Sequence, residues 1–126
     1  MKLKYFLAAL LVAVAIPATA HHSFYAEFDP NNEVSLEGEV VEMHWGNPHS
    51  WLSFAVVNDE GIVEEWSVEG GSPNVLMRIG WTRDSLPAGT PIKVTGFQAK
   101  DGALRINSRG LEFPDGRVLP MGGSRK

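Results

Sequence analysis

Hydrophobic and polar positions alternate along several segments downstream of residue 33, a pattern of period two that is typical of half-buried β-strands. The predicted strands are residues 34–45, 51–58, 62–69, 91–99 and 103–113. In the first of them the phase places Val41 on the buried face and His44 on the solvated face. In the third it makes Trp66 a core residue and Glu69 a solvated one.

A short helix is predicted between the third and fourth strands by its start and stop residues. Ser72 can cap its N-terminus, Pro73 suits its first position, and Gly80 can end it in a left-handed conformation. The predicted fold is therefore all-β with one short helix. The order β-β-β-α-β-β is that of a small five-stranded OB-like barrel. A small open β-sandwich built from the same elements is the alternative.

The N-terminal residues have the organisation of a secretory signal peptide. Two lysines precede an apolar run at residues 5–16, and Ala18 and Ala20 provide the small residues that signal peptidase reads. The run is shorter than the roughly 20 apolar residues of a membrane span, and no second run of that kind follows. We therefore expect a signal peptide at residues 1–20, no membrane span, and a mature chain that begins at His21 in the periplasm or outside the cell.

The mature chain is expected to form an arm, one domain and a tail. The arm is residues 21–33, the OB-like domain is residues 34–120, and the Gly-rich, charged residues 121–126 are predicted to fray. The sequence has 11 Lys and Arg against 15 Asp and Glu, and no Cys. The acidic balance disfavours nucleic acid as a partner, and the domain must be held by its core without disulfides. The oligomeric state is not indicated.

All four histidines lie within residues 21–49. After signal cleavage the α-amino group of His21, with an ordinary pKa of about 7.7–8.0, can chelate a metal together with Nδ1 of the same residue. His49, in the loop between the first two strands, would supply a third nitrogen, and such a nitrogen set favours Cu(II). His22 is the less suitable neighbour because adjacent side chains of an extended arm point to opposite sides, but it stays a candidate ligand. His44 is interpreted as a surface residue. We expect copper handling, with a copper-accepting protein as partner.

A metal-free binding function would rest on exposed aromatic side chains. Trp51 has the opposite phase to Leu52 and is the best candidate for a surface contact, with Trp45 and Asn47 in the same segment. OB folds bind oligosaccharides on the corresponding face, so a small ligand or a protein is the alternative partner. Binding is expected rather than catalysis, because the sequence has no nucleophile elbow, phosphate loop or H-E-x-x-H motif.

Several short segments of the mature chain, taken together, form a distinctive sequence pattern. They are residues 21–24, 27–29, 45–51, 71–74, 80–83, 87–89 and 100–102. In this combination the chain resembles a family of bacterial exported proteins of unknown function, with its His-His-Ser-Phe start and Trp-x-Asn-Pro-His-Ser-Trp segment. The resemblance covers nearly all of the mature chain and implies a periplasmic protein without naming a ligand. His21, His22 and His49 fall on the family's pattern, whereas its position 44 is often basic but not histidine.

Overall fold

The structure is a computed structural model that describes residues 24–124. Within these residues the chain forms six strands and two short helices. They are α1 (Phe24–Glu27), β1 (Phe28–His44), β2 (Trp51–Val57), β3 (Val63–Glu69), α2 (Pro73–Arg78), β4 (Pro91–Ala99), β5 (Arg105–Glu112) and β6 (Val118–Pro120). The prediction of a mostly β chain, with three strands followed by a helix, is confirmed. The predicted counts of five strands and one helix are wrong, because α1 and β6 were not foreseen.

The strands form one sheet that closes into a ring. Their order is β3-β2-β1-β4-β5-β6, and β3 also pairs with β5. The pairing of β3 with β5 is parallel and joins Ser67 to Arg105 and Glu69 to Asn107, whereas the other pairs of strands are antiparallel. Because this pairing closes the ring, the alternative of an open sandwich is wrong. β6 extends the sheet from β5.

The main core lies inside the ring. Its fully buried aliphatic and aromatic side chains include Leu52, Phe54, Val68, Val94, Ile106 and Leu111. Trp66 is buried in the same cluster, as the strand phase predicted. α2 adds Leu76 to this core, whereas Asn74, Met77 and Arg78 of the helix are exposed.

The predicted punctuation of α2 is confirmed. Ser72 is the N-cap, and its Oγ accepts a hydrogen bond of 3.4 Å from the Val75 backbone N–H. Pro73 occupies the first turn, where the backbone has no intrahelical acceptor for the missing N–H. Gly80 has a φ of 103°, a left-handed value that favours glycine. These local signals explain why the helix begins and ends where the sequence indicated.

A bulge in β1 changes the phase of that strand. The register with β2 shifts between Val40 and Glu42, and one additional residue reverses the faces of the side chains around it. As a result Val40 is buried, whereas Val41 is 41% exposed. The prediction that Val41 faces the core is wrong for this reason. His44 is exposed, as the sequence predicted.

The segment expected to be an arm is packed where the structure describes it. Residues 24–33 form α1 and the start of β1, and Phe24 and Phe28 are buried with Ala99 in a second apolar cluster outside the main core. The prediction of an arm is therefore wrong for residues 24–33, because the side chains of Phe24 and Phe28 are buried against the sheet. Residues 21–23 lie outside the described residues.

The C-terminal segment is also ordered by contacts. Met121 is fully buried in the main core, and its backbone oxygen accepts a hydrogen bond of 2.9 Å from the Gly71 N–H. The prediction that the tail frays is wrong for residues 121–124. Residues 125–126 lie outside the part of the chain that the structure describes.

Candidate functional site

The loop at residues 45–50 connects β1 to β2 and carries His49. At the end of this loop Ser50 is fully buried, its N–H donates to the Gly71 oxygen at 2.9 Å, and its oxygen accepts from the Gly70 N–H at 2.8 Å. The Gly46 N–H donates to Ser50 Oγ at 3.4 Å. These bonds fasten the loop to the end of β3, so that His49 has a defined position beside residues 69–71.

The His49 ring is held through one of its two nitrogens. Nδ1 lies 3.2 Å from the backbone oxygen of Gly70 and 3.4 Å from Oε1 of Glu69. A carbonyl oxygen and a carboxylate are both acceptors, so they favour the neutral tautomer with its proton on Nδ1. The lone pair is then on Nε2. With a side chain that is 27% exposed, His49 can present Nε2 to another group.

Glu69 is a site residue that the sequence reasoning missed. It was expected to be solvated, but it is 1% exposed, and that prediction is wrong. Its Oε1 accepts hydrogen bonds from the N–H of Ser124 at 2.9 Å and from Ser124 Oγ at 2.5 Å. The backbone oxygen of Ser124 accepts in turn a hydrogen bond of 2.8 Å from Asn107 Nδ2. The strand alternation placed Glu69 on the correct, outward face of β3. The tail covers this face, so Glu69 is not exposed to solvent. No local sequence pattern could have signalled this contact.

The aromatic candidates are placed in different settings. In the sheet, Trp51 is opposite His44 on one side and opposite Glu69 on the other, and it is half-buried. Trp45 instead forms an edge contact with Trp81, with ring centroids 6.3 Å apart, and the Arg83 guanidinium lies 5.3 Å over the Trp45 ring. The Trp45 ring is thus already in contact with two side chains, those of Trp81 and Arg83.

Asn47 and His44 are the other residues near this loop that the sequence analysis considered. Asn47 is exposed at the tip of the loop, and the His44 ring lies against Gly46. The structure therefore brings Trp51 beside the Glu69–His49 pair and leaves Asn47 at the solvent edge. The Trp45 ring packs instead against Trp81.

Of the three histidines predicted to bind metal, the structure describes His49. His21, His22 and the predicted signal peptide at residues 1–20 lie outside the described residues. Among residues 24–124, no three His, Cys, Asp or Glu side chains come close enough together to hold a metal ion. Nor does any helix in residues 24–124 have the length and apolar character needed to cross a membrane.

A groove of about 790 Å³ runs beside the site along the outer face of β4 and β5. Phe97 lines it near α1, and Asn107 and Ser124 line it near Glu69. The groove therefore extends from the neighbourhood of α1 to the tail segment that covers Glu69.

Comparison with known families adds one assignment. Residues 8–108 match DUF6152, a family of unknown function. The chain belongs to this family. The match includes the loop at residues 45–50 and the Glu69 region, and it confirms the predicted relation to a domain of unknown function. No curated protein and no solved structure matches the chain significantly.

Proposed function

We propose that this DUF6152 protein is an exported Cu(II)-binding protein in which His21 and His49 hold the metal. The observation that carries the proposal is the placement of His49, whose Nδ1 faces the Gly70 oxygen and the Glu69 carboxylate. Metal-bound histidines commonly donate their second ring N–H to a carbonyl or a carboxylate in this way. Nε2 of His49 would be one ligand, and the α-amino nitrogen and Nδ1 of His21 the others, a nitrogen set that suits Cu(II).

The position of α1 supports a contact between His21 and His49. Phe24 packs on Phe97, with ring centroids 5.4 Å apart, and Phe97 is opposite Asn107, which is opposite Glu69. Two steps between neighbouring strands separate Phe97 from Glu69 by about 10 Å. The three residues from His21 to Phe24 span at most about 11 Å when extended. This reach is comparable to the separation of Phe97 from Glu69, which favours a contact between His21 and the His49 region.

The ring of strands supports an OB-type barrel as part of the proposal. β1, β2, β3, β5 and β4 follow one another around the ring and return to β1, and α2 lies between β3 and β4 in the chain. Ligands of OB folds contact the loop between the first two strands. In this protein that loop is residues 45–50, which carries His49.

Copper handling in the periplasm or outside the cell is the role that fits these features. Export by residues 1–20 is a necessary part of it, because only signal cleavage would create a free α-amino group at His21. His22 is an additional candidate ligand beside His21 and His49. A copper-accepting protein is the partner that we propose.

Cu(II) binding by the naturally processed protein tests the proposal. The protein is exported with its own signal peptide, and its N-terminus is verified by intact mass. Electron paramagnetic resonance then reports the nitrogen ligands in the wild type, in a variant with one alanine inserted before His21, and in His49→Ala. His44→Ala is the matched control, since His44 is an exposed histidine at the end of β1.

We expect stoichiometric binding with a nitrogen-rich signal that the inserted alanine and His49→Ala each abolish. His44→Ala should leave the signal unchanged. Absence of stoichiometric binding, or binding that neither the inserted alanine nor His49→Ala affects, would overturn the copper proposal.

A second candidate function is metal-free binding of a small ligand or a protein around Trp51. The observation that favours it is the half-buried indole between His44 and Glu69 on the outer face of the sheet, with exposed Asn47 nearby. Titration with a panel of oligosaccharides, followed by Trp fluorescence, tests it. Binding that Trp51→Ala abolishes and the inserted alanine does not affect would favour this function over copper.

A further inference from the structure

Among residues 24–124, Glu69 is the one Asp, Glu, Lys or Arg residue that is buried, and its burial needs an explanation. A carboxylate taken out of water is strongly destabilising unless hydrogen bonds and opposite charges compensate. Glu69 is 1% exposed, and its Oε1 has Ser124 as a double donor. Among the described residues, a further polar neighbour of Oε1 is the His49 ring, with Nδ1 at 3.4 Å.

The C-terminal segment holds this carboxylate in place. Ser124 donates two hydrogen bonds to Oε1 and is itself fixed by Asn107, through a bond of 2.8 Å to the Ser124 oxygen. Met121 anchors the segment by full burial. A chain of contacts therefore leads from Asn107 through Ser124 and Glu69 to the His49 ring.

We infer that Glu69 is the positioning residue of His49. Together with the Gly70 oxygen, the carboxylate keeps the proton of the neutral ring on Nδ1 and fixes the plane of the imidazole. Nε2 then faces outward as the ligand atom for a divalent transition metal. A carboxylate behind a ligating histidine also raises the basicity of that ligand. The metal part of this inference rests on the proposed function, whereas the tautomer and its cause stand without any metal.

The tautomer of His49 in the metal-free protein is the first measurement. The processed full-length protein is isotope-labelled, and long-range proton–nitrogen correlation spectra are recorded at a pH where the ring is neutral. His49→Ala identifies the signals. We expect wild-type His49 to carry its proton on Nδ1, and Glu69→Gln to shift the equilibrium toward the Nε2–H form. Glu65→Gln is the matched control, because Glu65 is an exposed carboxylate on the same strand.

A second variant covers the case in which Glu69→Gln does not fold. Ser124→Ala removes one of the two donors to Oε1 near the end of the chain. Because the carboxylate is then held less firmly beside the His49 ring, we expect a smaller shift in the same direction. An Nε2–H tautomer in the wild type overturns the inference without any variant. An unchanged tautomer in folded Glu69→Gln, or in Ser124→Ala where only that variant folds, also overturns it.

Copper affinity separates this inference from the proposed function. If both hold, Glu69→Gln weakens Cu(II) binding by about 10–100-fold, and Glu65→Gln leaves it unchanged. Copper binding with an Nε2–H tautomer would overturn the inference and leave the proposed function standing. The expected tautomer and its loss in Glu69→Gln, without Cu(II) binding in the wild type, would support the positioning role and overturn the copper proposal.

Discussion

Trp81 Nε1 donates a hydrogen bond of 2.6 Å to the backbone oxygen of Pro120. Trp81 is buried and follows α2, whereas Pro120 is the last residue of β6. The bond therefore fastens the segment after the helix to the final strand and holds the chain where the C-terminal residues turn toward Glu69.

Removal of this donor should destabilise the domain. We expect Trp81→Phe to lower the free energy of unfolding by about 1–3 kcal/mol, because it leaves the Pro120 oxygen without its partner. Urea unfolding followed by circular dichroism measures the change. Trp51→Phe is the matched control, since Trp51 is half-buried on the outer face. An equal loss in both variants would mean that the hydrogen bond has no measurable effect.

Met121 should behave as a core residue although it lies in the tail. It is fully buried in the main cluster, and Met→Ala substitutions in cores typically lose about 2–5 kcal/mol. We expect Met121→Ala to fall in that range by urea unfolding. Val118→Ala, at a position that is 64% exposed, should change stability by no more than about 0.5 kcal/mol. A tail that contributes nothing would make the two variants indistinguishable.

The elements that the sequence predicted well are those encoded by neighbouring residues. Strand alternation depends on local spacing, so β4 was placed at residues 91–99, as observed, and β2 and β3 were placed within one residue at each end. The cap at Ser72 is a local signal too, and it marked the start of α2. The bulge at Val40 was missed because a single additional residue in a strand leaves no mark in its composition.

The features that the sequence could not predict depend on contacts between distant residues. Glu69 looks like any outward residue of a strand until the tail, 55 residues further along, covers it. The tail in turn looks frayed because its Gly and charged residues carry no periodic pattern, although Met121 and Ser124 anchor it. His49 was predicted as a site residue from its loop, but its orientation depends on Glu69.

The approach of the tail to Gly71 leads to a prediction about that glycine. A Cβ at Gly71 would lie 2.8 Å from the Gly122 oxygen and 2.7 Å from Cγ1 of Val75. Because neither contact distance is tolerated without movement, we expect Gly71→Ala to lose about 1–3 kcal/mol of stability. We also expect faster hydrogen exchange at the Ser124 N–H, as the tail shifts from Glu69.

Asn74→Ala is the control for this substitution, since Asn74 is an exposed position of α2 close to Gly71 in the chain. It should leave both the stability and the exchange rate at Ser124 near the wild-type values. Unchanged exchange in Gly71→Ala would contradict the tight packing between the glycine and the tail.

Asp115 should make folding stability depend on pH in the acidic range. The Arg117 backbone N–H and then the Arg117 side chain donate hydrogen bonds that hold the pKa of Asp115 below its ordinary value of 3.8. Because the pKa is lower in the folded state than in the unfolded state, this contribution is fully present above pH 3.8. It is lost as the pH falls through the folded-state pKa.

Asp115→Asn isolates that contribution. We expect the variant to be slightly less stable than the wild type at neutral pH, since the pair is exposed and the interaction is screened by water. The difference should vanish well below pH 3.8, where the carboxyl group is protonated in both states. Urea unfolding at the two pH values checks this, and a difference that grows on acidification would contradict the assignment.

Phe24 connects the packing of α1 with the proposed copper site. It is buried against Phe28 and Phe97, so we expect Phe24→Ala to lose about 3–5 kcal/mol. Tyr25→Phe is the control, because it removes only a hydroxyl group from a residue that is 55% exposed. If His21 binds copper from a tether that Phe24 anchors, Phe24→Ala should also weaken Cu(II) binding under conditions where the variant is still folded. Full copper affinity in folded Phe24→Ala would mean that Phe24 does not position His21 for binding copper together with His49.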